Sequence, residues 1–257
     1  MPFTTTSDKQ EIYYEKTGSS GPVLVLVSGY MGIADIWQPL INKLQLQYQC
    51  IAYDSRGFGR SSKPELALAY SIERHAEDLH AVLESLNLNS KVILVTHSMG
   101  TNIASAFFLS NPDRVSGIIS SAAYFDGKSI GNQGLGAEHL AISVDVPSAC
   151  VEFYTNMGLD HRFAIEAAKW PGYTRRNNAL ALFAYDIGNR YSEITVPCLI
   201  IQGAEDMVCP VDQCARPIAE AIPDCKLEVL EGVKHFPITE AVEKVFTLIN
   251  TFCQTLT

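Results

Sequence analysis

Three side chains of the kinds that nucleophilic catalysis needs stand just past apolar runs of this 257-residue chain. Ser98 lies in Val95-Thr96-His97-Ser98-Met99-Gly100, between the apolar Val92-Ile93-Leu94 and the helix-like stretch 101–110. Strand, sharp turn, helix is the order that lifts a serine hydroxyl above a sheet on a strained corner, over a helix N-terminus that favours developing negative charge. A serine hydroxyl is a poor nucleophile and needs a base beside it, and the base needs an acid to fix its tautomer and stabilise the imidazolium. His235, in Gly232-Val233-Lys234-His235-Phe236-Pro237, follows the strand-like 226–230. Asp206, in Gly203-Ala204-Glu205-Asp206, follows the strand-like 196–201. The blander readings are that Ser98 only caps its helix and that His235 is an ordinary packed or surface histidine. Thr96 also stands where the first glycine of G-x-S-x-G is usual.

Something must carry these residues to one place. Val23-Leu24-Val25-Leu26-Val27 is continuously apolar, as are 50–53 and 92–95, and 115–123 reads as another buried strand. Such runs mark strands covered on both faces, hence a parallel sheet with helices on each side. Helical periodicity is read over 37–46, 71–86, 101–110, 212–221 and 239–252, with Ser71 as an N-cap. The alternation predicts an α/β fold with a mostly parallel, doubly wound sheet. It breaks once, over 124–191, which is expected to be a mainly helical cap inserted after the sixth strand into a core made of 1–123 and 192–257. A strand at 11–16 followed by the turn cluster Thr17-Gly18-Ser19-Ser20-Gly21-Pro22 predicts a hairpin onto the strand at 23–27. Open sheets of this kind hold ligands at the carboxyl ends of their strands, where Ser98, Asp206 and His235 are all expected.

Composition excludes several alternatives. The formal charge is −9, with Arg175-Arg176 the one basic doublet, so no nucleic-acid partner is expected. His75 and His80 are five apart, a spacing that does not place two metal ligands on one helix face, and no metal or other cofactor is expected. The seven cysteines form no C-x-x-C pair and read as free thiols of a reducing compartment. Residues 1–9 lack the apolar core of a signal peptide and no apolar run is long enough to span a bilayer, so a cytoplasmic protein without membrane insertion is expected. Oligomeric state is not readable.

Taken in order, these motifs resemble the α/β-hydrolase superfamily, in its branch with a serine nucleophile and a single cap, over almost the whole chain. The resemblance implies Ser98 as elbow nucleophile, Asp206 as the acid of a G-x-x-D turn and His235 as base. Some relatives carry the acid after the sixth strand, which makes Asp126 an alternative, and Glu205 is a further one. Ser28-Gly29-Tyr30 matches the family's His-Gly loop, with Ser28 where histidine is common, and implies an oxyanion hole from the backbone N–H groups of Tyr30 and Met99. Asp54 to Ser62 matches a structural D-x-R-G-x-G-x-S loop, and His97 reads as a side wall of the elbow.

The expected function is hydrolysis of a small to medium, largely apolar ester, lactone or thioester through an acyl-enzyme on Ser98. The same residues also serve carbon–carbon bond hydrolases, hydroxynitrile lyases and haloperoxidase-like enzymes, and a non-catalytic small-molecule receptor is the reading from another class. Among the aromatic residues near the cap, Tyr30, Tyr124, Phe125, Tyr154, Trp170 and Phe236 are the candidates to bind the small-molecule substrate.

Overall fold

The computed structural model describes residues 2–30, 32–88, 90–131, 134, 136–141 and 146–256; Met31 of the glycine loop lies outside the described residues. Eight strands form one sheet: β1 (Phe3–Thr5), β2 (Glu11–Thr17), β3 (Val23–Val27), β4 (Gln49–Tyr53), β5 (Val92–His97), β6 (Val115–Ser121), β7 (Cys198–Gly203) and β8 (Cys225–Leu230). Their order is β1-β2-β4-β3-β5-β6-β7-β8. Pairs from β4 to β8 are parallel, whereas β1/β2 and β2/β4 are antiparallel. The apolar runs explain the centre: every residue of β3, β5 and β7 is buried, as expected of strands covered on both faces.

The expected hairpin between 11–16 and 23–27 does not form. β2 turns back on β1 through Thr6–Gln10 and pairs with β4 on its other side, while β3 crosses over to lie between β4 and β5. The turn that connects β2 to β3 is instead packed on residues 47–48: a β-carbon on Gly18 would sit 2.1 Å from the Tyr48 carbonyl oxygen, and one on Gly21 2.0 Å from that of Gln47. Its glycines, both at positive φ, serve this close approach rather than a hairpin.

Helices α1 (Gln38–Leu44), α2 (Ile72–Ser85) and α3 (Met99–Ser110) alternate with the first strands. The Ser71 hydroxyl caps α2 by accepting the Arg74 N–H at 3.1 Å. Between β6 and β7 lie α4 (Gly127–Gly131), α5 (Ala137–Leu140), α6 (Pro147–Asn156), α7 (His161–Ala167) and α8 (Gly172–Ala184). After β7 come α9 (Arg216–Ala221), α10 (Pro237–Glu240) and α11 (Val242–Gln254).

Helix α8 is anchored on the loop after β4. The Tyr173 hydroxyl donates to the Lys63 carbonyl, the Asn177 amide to that of Glu65, and the Asn178 carbonyl oxygen accepts from His75 at 2.8 Å. Beneath that loop Arg56, fully buried, forks onto Asp78 at 2.5 and 2.8 Å and reaches Asp8 at 2.8 Å. None of the seven cysteines forms a disulfide. No helix among the described residues is long and apolar enough to cross a membrane.

Candidate active site

Ser98 stands at φ 51° and ψ −120°, between the end of β5 and the first turn of α3. A non-glycine residue in the left-handed region is strained, and it is held there by neighbours: its N–H donates to the Ser121 carbonyl at 2.9 Å, and its own carbonyl accepts the Thr101 N–H at 2.8 Å. The elbow fits only because small residues surround it. A β-carbon on Gly100 would meet the Val27 carbonyl oxygen at 2.2 Å, and one on Gly29 would meet the Ser98 β-carbon at 2.9 Å. Thr96, at the position of the missing glycine, is fully buried and places its hydroxyl 3.2 Å from those of both Ser120 and Thr101.

His235 Nε2 lies 3.2 Å from the Ser98 Oγ, and its Nδ1 lies 2.8 Å from Asp206 Oδ2. The carboxylate of Asp206 is itself tied down: Oδ1 accepts the N–H groups of Val208 and Cys209 at 2.9 and 2.8 Å, and Oδ2 accepts from Gln202 Nε2 at 2.8 Å. Gly203 lets the two loops meet, since a β-carbon there would lie 2.1 Å from the Lys234 carbonyl oxygen. An Nδ1–H facing a carboxylate leaves Nε2 unprotonated toward the serine, the tautomer that a general base requires. Asp126 is elsewhere, capping α4 with Oδ1 on the Ser129 N–H at 2.7 Å, and Glu205 is exposed.

The backbone N–H groups of Tyr30 and Met99 have no acceptor among the described residues. Ser28 ties the two ends of the loop that bears Tyr30: its Oγ accepts the Trp37 indole N–H at 2.8 Å and donates to the Ile33 carbonyl at 3.2 Å. The Tyr30 hydroxyl is spent on the carbonyl oxygens of Leu140 and Arg175, and burial pushes its phenol well up, so it stays neutral.

A cleft of about 500 Å³, its open mouth included, lies over Ser98 and His235. Of the substrate-binding candidates, Tyr30, Tyr154 and Phe236 line it. Tyr124, Phe125 and Trp170 do not: Tyr124 is fully buried in the core, and Phe125 packs on the Tyr191 ring with centroids 4.7 Å apart. Trp170 borders a separate surface groove with Arg60 and Glu166. Sequence reasoning missed Ile36, Ile130, Leu140, Met157, Leu182 and Val208, which line the cleft but look like any core aliphatic. It also missed Gln202, although one polar residue at the end of the apolar run of β7 was a usable signal. Among the described residues, no Asp, Glu, Lys or Arg lines the cleft.

His97, beside the nucleophile, stacks on Phe236 with centroids 4.8 Å apart and planes at 23°. Burial first, then the charge of neighbouring His235, pushes it down to about 3, so the ring is neutral. Cys209 forms, with Asp206 and His235, a set of metal-ligand atoms within 4.8 Å of one another. Its thiol is held protonated by burial, and the carboxylate and imidazole are already bonded to each other, so the donor set suits a proton relay rather than an ion.

Comparison with known proteins agrees with this architecture. The family model described as the alpha/beta hydrolase fold matches residues 22–136. Non-heme chloroperoxidase CPO-A1 of Kitasatospora aureofaciens is 27% identical over 269 residues, covering 91% of this chain and 92% of that protein. Among solved structures, an N-acyl homoserine lactone degrading enzyme is 26% identical with a TM-score of 0.83, covering 98% of this chain and 100% of its own. An esterase from Exiguobacterium antarcticum, 24% identical, superposes with a TM-score of 0.85 over 98% of both chains. In strand order and helix placement the chain has the α/β-hydrolase fold, and it is similar to these proteins over nearly its whole length.

Proposed function

We propose that the protein hydrolyses small to medium, uncharged, largely apolar esters, lactones or thioesters through an acyl-enzyme on Ser98. The observation that carries this reading is the chain of contacts from Ser98 Oγ through His235 to Asp206, at 3.2 and 2.8 Å, opening on a cleft that no Asp, Glu, Lys or Arg lines among the described residues. Ser98 attacks the substrate carbonyl while His235 Nε2 takes the hydroxyl proton, and Asp206 stabilises the imidazolium without itself being protonated. The oxyanion of the tetrahedral intermediate accepts hydrogen bonds from the unengaged N–H groups of Tyr30 and Met99, donors aimed where charge develops. Collapse expels the alcohol or thiol with the proton from His235. Water, deprotonated by the same histidine, then attacks the acyl-enzyme and releases the acid.

In this reading residues 124–191 act as the cap, with Ile130, Leu140, Tyr154, Met157 and Leu182 facing the substrate from above. The small volume and apolar lining favour short acyl groups over long or charged ones. Turnover of a panel of p-nitrophenyl esters of increasing acyl length tests it. Activity confined to short esters and abolished by Ser98→Ala is expected, and silence toward every ester and lactone would sink the reading. A second reading, haloperoxidase-like chemistry on the same residues, is favoured by the 27% identity to a non-heme chloroperoxidase. Halogenation of monochlorodimedone by a preparation inert toward esters would decide for it.

A further inference from the structure

The main chain of His235 is held from two sides. Its N–H donates to the Met157 carbonyl at 3.1 Å, and its carbonyl accepts from His97 Nε2 at 2.9 Å. Neither partner belongs to the loop that carries His235: Met157 follows α6, and His97 ends β5 next to the nucleophile. Glu240 grips the two flanking peptides, with Oε2 on the Lys234 N–H at 3.0 Å and Oε1 on the Phe236 N–H at 2.8 Å. The turn after α6 is pressed against this carboxylate. Gly158 stands at φ +99°, and a β-carbon there would lie 2.5 Å from the Glu240 carboxyl carbon. Lys234 Nζ also reaches the Asn156 carbonyl at 3.3 Å.

The hydrogen on His97 follows from its partner. A carbonyl oxygen only accepts, so Nε2 carries the proton. With the ring buried and neutral, it donates this bond without setting a second positive charge beside an imidazolium forming on His235, whose ring centroid is 5.2 Å away. These bonds go to the peptides of the base and its two neighbours.

We propose that His97 and Glu240 are positioning residues for the general base. Together with the Met157 carbonyl they fix the main chain of His235 so that its ring spans Ser98 and Asp206, which makes the geometry of the base depend on the seating of the turn after α6. The proposal rests on the reading of Ser98, His235 and Asp206 as a hydrolytic triad. An imidazole hangs from the main chain by two torsions, so a shift of that peptide is carried straight to Nε2. A misplacement of about 1 Å costs a reaction as much as ~100-fold.

The test pairs a variant that loses each contact with one that keeps it in full or in half: His97→Leu against His97→Gln, and Glu240→Ala against Glu240→Gln. Two readouts are taken on each full-length protein, kcat and KM on p-nitrophenyl butyrate, and the low-field proton NMR signal of the His235 Nδ1–H bonded to Asp206. His97→Leu and Glu240→Ala are expected to lower kcat by about 10- to 100-fold with KM within about twofold, and to weaken or erase the low-field signal. His97→Gln, which keeps an N–H donor, is expected to recover most of both, and Glu240→Gln, whose one carbonyl oxygen can hold one of the two peptide N–H groups, to fall between Glu240→Ala and wild type.

If His97→Leu fails to melt cooperatively, exposed Glu240 carries the comparison alone. Unchanged kcat and signal in the contact-losing variants overturn the proposal, as does equal loss in both members of each pair. The signal is read without substrate. A wild-type protein that shows it yet turns over no ester overturns the hydrolase reading, while the response of the signal to the variants still decides the positioning role.

Discussion

A β-carbon on Gly100 would stand 2.2 Å from the carbonyl oxygen of Val27. No rotamer relieves that contact, because the backbone at the junction of β3 and α3 fixes the position of both atoms. Gly100→Ala is therefore expected to push α3 off the sheet and to cost about 1–3 kcal/mol, as overpacking does. Urea denaturation reads the stability and ester turnover the elbow. Gly100→Leu with full stability and activity would contradict the elbow geometry.

Thr96 behaves differently from what its place in the motif suggests. As a substitute for a usual glycine, it reads from sequence as a residue that Gly could replace. In the structure its buried hydroxyl bonds Ser120 and Thr101, so Thr96→Gly opens a void and leaves hydroxyls with fewer partners. The expected loss is about 1–3 kcal/mol, with Thr96→Ser closer to wild type. Thermal melts of the two variants check the order.

The Arg56 fork onto Asp78 is a fully buried ion pair beneath the loop that α8 sits on. Removing Arg56 strands the Asp78 carboxylate in the core, whereas removing Asp78 leaves Arg56 still held by Asp8 and the Ala69 carbonyl. Arg56→Met is expected to destabilise by about 3–5 kcal/mol, Asp78→Leu by less, and the two together by less than the sum. A double-mutant cycle in urea measures it, and additive losses would contradict the pairing.

His75 donates Nε2–H to Asn178, and burial, then the Arg56 charge, pushes it down to about 3; His97 is pushed to about 3 as well. A histidine with a depressed folded value takes up its proton first in the unfolded chain. Its contribution is full above about pH 6.5 and is lost as pH falls toward 3, at about 1.4 kcal/mol per pH unit for each such histidine. His75→Gln should flatten the slope of unfolding free energy between pH 6.5 and 5 by about one proton's worth. An unaltered slope would contradict the neutral, buried state of His75.

Much of this was legible in the residues, and the reasons differ by part. β3, β5 and β7 announce themselves because strands covered on both faces must be continuously apolar, and Ser98, Asp206 and His235 follow such strands or precede a helix at the matching edge. The pairing of β2 with β4 was not legible, since the glycines of 17–22 signal a turn but not which strand lies beyond it. The cleft was the least legible part. Leu140, Met157 and Leu182 carry no mark separating a cleft wall from a core, while Tyr124 and Phe125, the more conspicuous aromatics, pack inward. Thr96 and Ser28 depart from the family pattern, yet each has a hydroxyl in a specific bond that only coordinates reveal.

The central claim is that Ser98, activated by His235 at 3.2 Å, is a nucleophile. Intact-mass spectrometry after treatment with a fluorophosphonate tests it most directly. One phosphonyl adduct per chain, mapped to the peptide holding Ser98, absent in Ser98→Ala and strongly slowed in His235→Ala, is the expected result. A folded wild-type protein that takes no label, or one labelled equally well after Ser98→Ala, would contradict it.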